Sequence, residues 1–139
     1  MEGFSSEECL EFLKALFAIA WADRILKDKE KVFLSKLVDH LNPSSDIREQ
    51  VHPYFETAID IGEVNWSYIP ESGRYFLLSC AWLMANIDKH LDPEEETMLN
   101  QMTSLMGLSS DDLKIIKMGD LNAEQKSLLN SIGVYGKTV

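Results

Sequence analysis

Apolar residues recur at helical spacing along nearly the whole chain, and the alternation expected of strands is almost absent. Leu10, Leu13, Phe17, Ala20 and Trp21 mark one face of a first helix reaching about Ala22. Ser5 and Glu8 can open it as a capping box, each satisfying the other's orphan backbone donor. A second helix is predicted from Asp28 as N-cap, through Phe33, Leu34, Leu37, Val38 and Leu41, to a stop at Asn42-Pro43. The middle of the chain is less regular. It reads as a helix over residues 46–54, bent at Pro53, then another over 55–61, with breaks at Gly62 and Ile69-Pro70. Trp66, Tyr68 and Ile69 are expected to plug the core. A helix then runs from near Glu71 to about Ile87, and another starts with Asp92 as N-cap and Pro93 at its first position, where a missing N–H costs nothing. Leu99, Met102, Leu105 and Met106 form its buried stripe and Gly107 ends it. Ser109 or Ser110 caps a short helix carrying Leu113, Ile115 and Ile116. Asn122 with Gln125 opens a last helix through Leu128, Leu129 and Ile132. The expectation is an all-α fold of about seven helices in one domain over residues 1–139.

The pattern repeats itself. Residues 12–41 return without gaps as residues 77–106: Leu13 meets Leu78, Phe17 meets Trp82, Ala20 meets Ala85, Leu34 meets Leu99 and Leu37 meets Met102. Two similar helical hairpins packed on each other would give this register. Two polar matches stand out among the apolar ones. Asp23 meets Asp88 at the end of each hairpin's first helix, and Glu30 meets Glu95 in the first turn of the second.

Composition narrows the function classes. The formal charge of −10 and a pI near 4.6 argue against nucleic acid, because an acidic surface repels phosphate, and are compatible with cations or a basic partner. No basic segment followed by an apolar one opens the chain, and its most apolar runs fall short of the roughly 20 residues needed to span a bilayer. Cys9 and Cys80 lie inside apolar helical patterns, as small core residues in a reducing compartment do. The reading is a cytoplasmic, soluble protein with protein partners, and with neither nucleic acid nor membrane insertion.

The candidate chemistry is in the two turns. A helix C-terminus is a poor place for an acid, so Asp23 and Asp88 need compensation, whereas Glu30 and Glu95 suit the N-terminal ends they occupy. On a structural reading, the aspartates accept backbone N–H groups and shape the turns. On a functional reading, pseudo-symmetry brings Asp23, Glu30, Asp88 and Glu95 together, and such a cluster calls for a hard divalent cation, calcium or magnesium before zinc. An EF-hand is excluded: counted from Asp88, the loop glycine would be Pro93 and the closing glutamate Leu99, and the first copy fails at Asp28 and Leu34. His40, His52 and His90 and the two cysteines show no zinc spacing. No nucleophile elbow or phosphate-binding glycine loop is present, so neither an enzyme nor an organic cofactor is expected.

These turns give the chain a family likeness. With Ala22-Asp23-Arg24-Ile25-Leu26-Lys27-Asp28-Lys29-Glu30 in one copy, and Ile87-Asp88-Lys89-His90-Leu91-Asp92-Pro93-Glu94-Glu95 leading to Met106-Gly107-Leu108-Ser109 in the other, the chain resembles the TerB-like family of all-helical domains, named for bacterial tellurite resistance. The likeness covers residues 12–113. It implies two related hairpins, no enzymatic activity, a metal-linked stress role, and cation binding by Asp23, Glu30, Asp88 and Glu95. Arg24 and Lys89 stand where the family has glycine, placing a positive side chain beside each aspartate. The competing expectation is a structural interaction module whose turn acids only stabilise the hairpins, with its working surface around Trp66, Tyr68 and Tyr75.

Overall fold

The computed structural model describes residues 5–85 and 93–118. Within them the chain is all-α: α1 (Ser6–Ala20), α2 (Asp28–Leu41), α3 (Ser45–Val51), α4 (Glu71–Ala85), α5 (Pro93–Leu105) and α6 (Ser110–Lys117). Short 3-10 turns at His52–Phe55, Ile61–Glu63 and Trp66–Tyr68 join α3 to α4. Asp88 and the helix expected over 122–132 lie outside the described residues.

Local chemistry sets most helix ends. Ser5 and Glu8 form the expected capping box on α1, and Ser109 with Asp112 does the same for α6. Ser44 caps α3 through the Ile47 N–H, and Pro93 is the first residue of α5. Gly107 follows α5 at φ 75°, a left-handed conformation that glycine adopts without strain.

α1 is the central helix. From Glu11 to Ala20 every side chain except Lys14 is buried, the mark of a helix covered on all sides. It touches α2, α3, α4 and α5 together with the 3-10 turns at 61–63 and 66–68. The two hairpins, α1–α2 and α4–α5, meet through their first helices, where the rings of Phe12 and Phe76 stack with centroids 5.7 Å apart. Each first helix also touches the other hairpin's second helix. Cys9 and Cys80 are buried core residues, and burial pushes the Cys80 thiol far up, leaving it inert.

Four expectations need correction. No helix forms over 55–61. Instead Phe55 sets its ring edge-on to Phe17 at 4.9 Å, and the Tyr54 carbonyl accepts the Trp21 indole N–H at 2.7 Å. That carbonyl is thereby engaged by a tertiary partner instead of a fourth-following N–H, and the chain leaves the helix. The N-cap of α2 is Lys27, not Asp28, because Glu30 takes the Lys27 N–H at 3.1 Å and starts the helix one residue early. Tyr68 is exposed (48%), while Ile69 is buried and Trp66 half-buried against the core. Leu105, counted in the buried stripe, is largely exposed at the end of α5.

Two polar anchors escaped the pattern. Glu11 is buried on α1, yet its carboxylate accepts the distant Asn65 N–H at 2.7 Å and pairs with Lys14 at 3.2 Å. Arg74 donates to the carbonyls of Ile69 (3.2 Å) and Met106 (3.0 Å), tying the start of α4 to the end of α5. Both join segments far apart in sequence, so no local spacing reveals them.

Candidate functional site

The first turns of α2 and α5 converge, and they bring Glu30 and Glu95 into the interior. Both residues are the third of their helix, at matched positions of the repeat. Glu30 is 1% exposed and Glu95 0%. Their carboxyl groups lie close enough in this enclosed space to act on each other's ionisation. Burial first, and then this contact with Glu95, push the Glu30 carboxyl up to about 9, against a smaller downward pull from the Lys27 N–H and ammonium.

Lys27 organises the rest of the site. Its backbone N–H donates to Glu30, while its ammonium lies 3.8 Å from Glu95 Oε1 and 3.8 Å from Asp23 Oδ2. Asp23 lies in the turn after α1, where its other oxygen accepts the Ile25 N–H at 3.1 Å. The expected acid at the end of α1 is therefore compensated twice, by a turn hydrogen bond and by the ammonium. Lys27 is the residue that sequence reasoning missed. Its place before a helix start looks like solvent-facing charge, and only the approach of α5 gives its ammonium a second carboxylate.

Asp23, Glu30 and Glu95 thus surround one lysine, with only oxygen donors among them. Among the described residues, no three His, Cys, Asp or Glu side chains stand close enough together to hold a metal ion directly. The Lys27 ammonium lies between Asp23 and Glu95. No protein-family model matches the chain, and neither curated proteins nor solved structures give a match.

Arg24 takes no part in this charge cluster. Its side chain is exposed and makes no ion pair among the described residues, but its backbone stands at φ 68°. A side chain there costs about 1 kcal/mol through the contact of Cβ with the carbonyl. Arg24→Gly is expected to raise stability by about 0.5–1 kcal/mol, the relief of strain exceeding the added freedom of the unfolded chain. Arg24→Val should lower it, since a β-branched residue is poorest at positive φ. Urea unfolding of the two variants checks the order.

Proposed function

We propose that this chain is a non-catalytic, TerB-like helical domain that takes up a divalent cation at the joint between its two hairpins. The observation that carries the reading is the meeting of Glu30 and Glu95 inside the protein. Two carboxylates brought together away from water repel each other unless a proton or a cation joins them. A hard ion such as calcium or magnesium would take the place of a proton between Glu30 and Glu95. When bound, the ion would supply positive charge that locks the two helix starts together. The resemblance of the repeated turns to TerB-like domains points the same way and would give the domain a metal-linked stress role. Arg24 adds support: the turn needs a left-handed residue at the position where TerB-like turns carry glycine.

The test is the melting temperature of metal-stripped protein with and without millimolar calcium, magnesium, manganese or zinc. An ion bound by the folded state at 100 times its dissociation constant adds about 2.7 kcal/mol. For a domain of this size that is a rise of several degrees, expected with calcium or magnesium and abolished in Glu30→Gln/Glu95→Gln. No rise with any of the four ions would sink the reading.

A second reading rests on Lys27. Its ammonium already offsets charge between Asp23 and Glu95, and the raised Glu30 carboxyl can keep a proton beside Glu95, so the joint needs no ion to act as a structural lock. The domain would then be an interaction module. Tyr68, exposed beside the half-buried Trp66, would mark its working surface.

A further inference from the structure

Positive charge is concentrated on one face of an acidic chain. Residues 24–36 hold five basic side chains and two acids, a formal charge of +3, so the rest of the chain carries −13 of a total of −10. Of the two acids Glu30 is buried, and Asp39, the next acid along α2, is taken up by Arg48 at 3.2 Å. Arg24, Lys29, Lys31 and Lys36 are exposed and pair with no carboxylate among the described residues. Elsewhere Lys14, Arg48 and Lys117 each face a carboxylate within 3.6 Å. Lys29, Val32 and Lys36 are spaced by three and four along α2, which puts them in one stripe. That stripe faces away from Phe33, Leu34, Leu37 and Val38, the buried side of α2. Ile25, in the turn just before α2, is 61% exposed and Val32 is 52% exposed, so two aliphatic side chains stand in water among the charges. The fold does not require this face. At the matched positions of the second hairpin, Lys29, Lys31, Val32 and Lys36 become Glu94, Glu96, Thr97 and Gln101.

We infer that this face is a docking surface for an anionic lipid bilayer, with Arg24, Lys29, Lys31 and Lys36 at the headgroups and Ile25 and Val32 dipping between them. The inference is independent of whether the joint between the hairpins takes up a cation. The outer side of a helix and the turn before it are convex, a shape that a soft, flat headgroup layer can meet along its length. Two separated aliphatic side chains are too little for the apolar centre of a stable protein interface, which takes about 800 Å² from each partner. A bilayer asks for no such continuity. Each basic side chain near an anionic surface adds about fivefold to binding, and each aliphatic one adds through its own buried area. The net charge of −10 does not oppose this at contact. Fields are screened within about 8 Å at physiological salt, so the lipid senses the face turned towards it. The acidic remainder is repelled and orients the chain with its basic face inward. The chain lies on such a membrane without crossing it, since no helix among the described residues is long and apolar enough to span a bilayer.

The test is co-sedimentation of the full chain, in chelator and at low salt, with vesicles of phosphatidylcholine alone or with about one-third phosphatidylserine. Binding is expected to the mixed vesicles only, and should fall away as salt is raised. Lys29→Glu should weaken it about tenfold or more. Lys114→Glu makes the same charge change at an exposed site on α6 and should alter binding by less than about twofold. Ile25→Ser leaves every charge in place and should weaken binding about fivefold through lost apolar burial. All three side chains are exposed, so each variant should keep the native melting temperature, measured alongside. Equal losses in Lys29→Glu and Lys114→Glu would mean that diffuse charge drives adsorption, and indifference to Ile25→Ser that the aliphatic side chains take no part. Either result overturns the inference. No uptake by the mixed vesicles at low salt overturns it too, and leaves this face to an acidic protein partner.

Discussion

Glu30→Gln is expected to make the metal-free protein more stable at pH 8, although it only exchanges one hydrogen-bonding group for another of the same size. The native carboxyl is raised from 4.5 to about 9 by burial and by Glu95, so the folded state holds a proton that the unfolded chain releases above pH 4.5. A carboxyl raised in this way supports folding fully below the unfolded value. That support is lost as pH climbs from 4.5 towards 9. Each pH unit in the window costs at most about 1.4 kcal/mol for one proton. Between pH 5 and pH 8 the metal-free native protein should lose on the order of 2–4 kcal/mol, the reverse of ordinary acid unfolding. Gln carries the hydrogen permanently. It can donate to Glu95 while its oxygen still accepts the Lys27 N–H, leaving the Lys27 ammonium to balance Glu95. Its stability should vary little over the same range. Urea unfolding at pH 5, 6.5 and 8 in chelator gives both curves. A native profile that rises with pH would mean that both glutamates are ionised and balanced by neighbouring charge.

Phe17→Ala should cost about 3–5 kcal/mol, the usual loss for emptying a closed aromatic site. Phe17 is fully buried in the central helix. Its ring meets Phe55 edge-on at 4.9 Å and Tyr54 at 5.7 Å, the two residues that pin the 3-10 turn after α3. The neighbouring Trp21 indole holds the same turn through the Tyr54 carbonyl, so collapse into the space left is opposed and the cavity stays open. The melting temperature should fall by about 10 °C. Ile25→Ala, at a side chain 61% exposed, is the control and should change stability by less than about 0.5 kcal/mol. A loss below about 1 kcal/mol for Phe17→Ala would show that α1 is not the packed centre.

The order of the helices and most of their ends were legible because those signals are local. The capping box at Ser5, the serine cap at Ser109 or Ser110, Pro93 at the start of α5 and Gly107 after it act within a few residues of themselves. The repeat was legible for a related reason: two hairpins that bury similar faces keep similar spacing. It also singled out Asp23, Glu30 and Glu95 before any geometry was known. Their convergence was open on the sequence alone, because register says that two turns are alike and nothing about their separation.

Equivalent positions need not share an environment, and only the tertiary structure shows where they part. Phe17 and Trp82 match in the repeat, yet Phe17 is sealed at the centre while Trp82 is half-buried beneath the Lys117 ammonium, 5.3 Å from its ring centroid. α1 packs against four helices and two 3-10 turns, whereas the main neighbours of α4 are four helices. The same holds for charge. The sequence by itself determined most of the helices and their caps, the doubled hairpin and the acids worth watching, all set by interactions a few residues long. Folding alone decided that Glu30 and Glu95 meet inside the protein, that Lys27 stands between Asp23 and Glu95, and that Glu11 and Arg74 bind distant backbone, because each depends on the distance between segments remote in the chain.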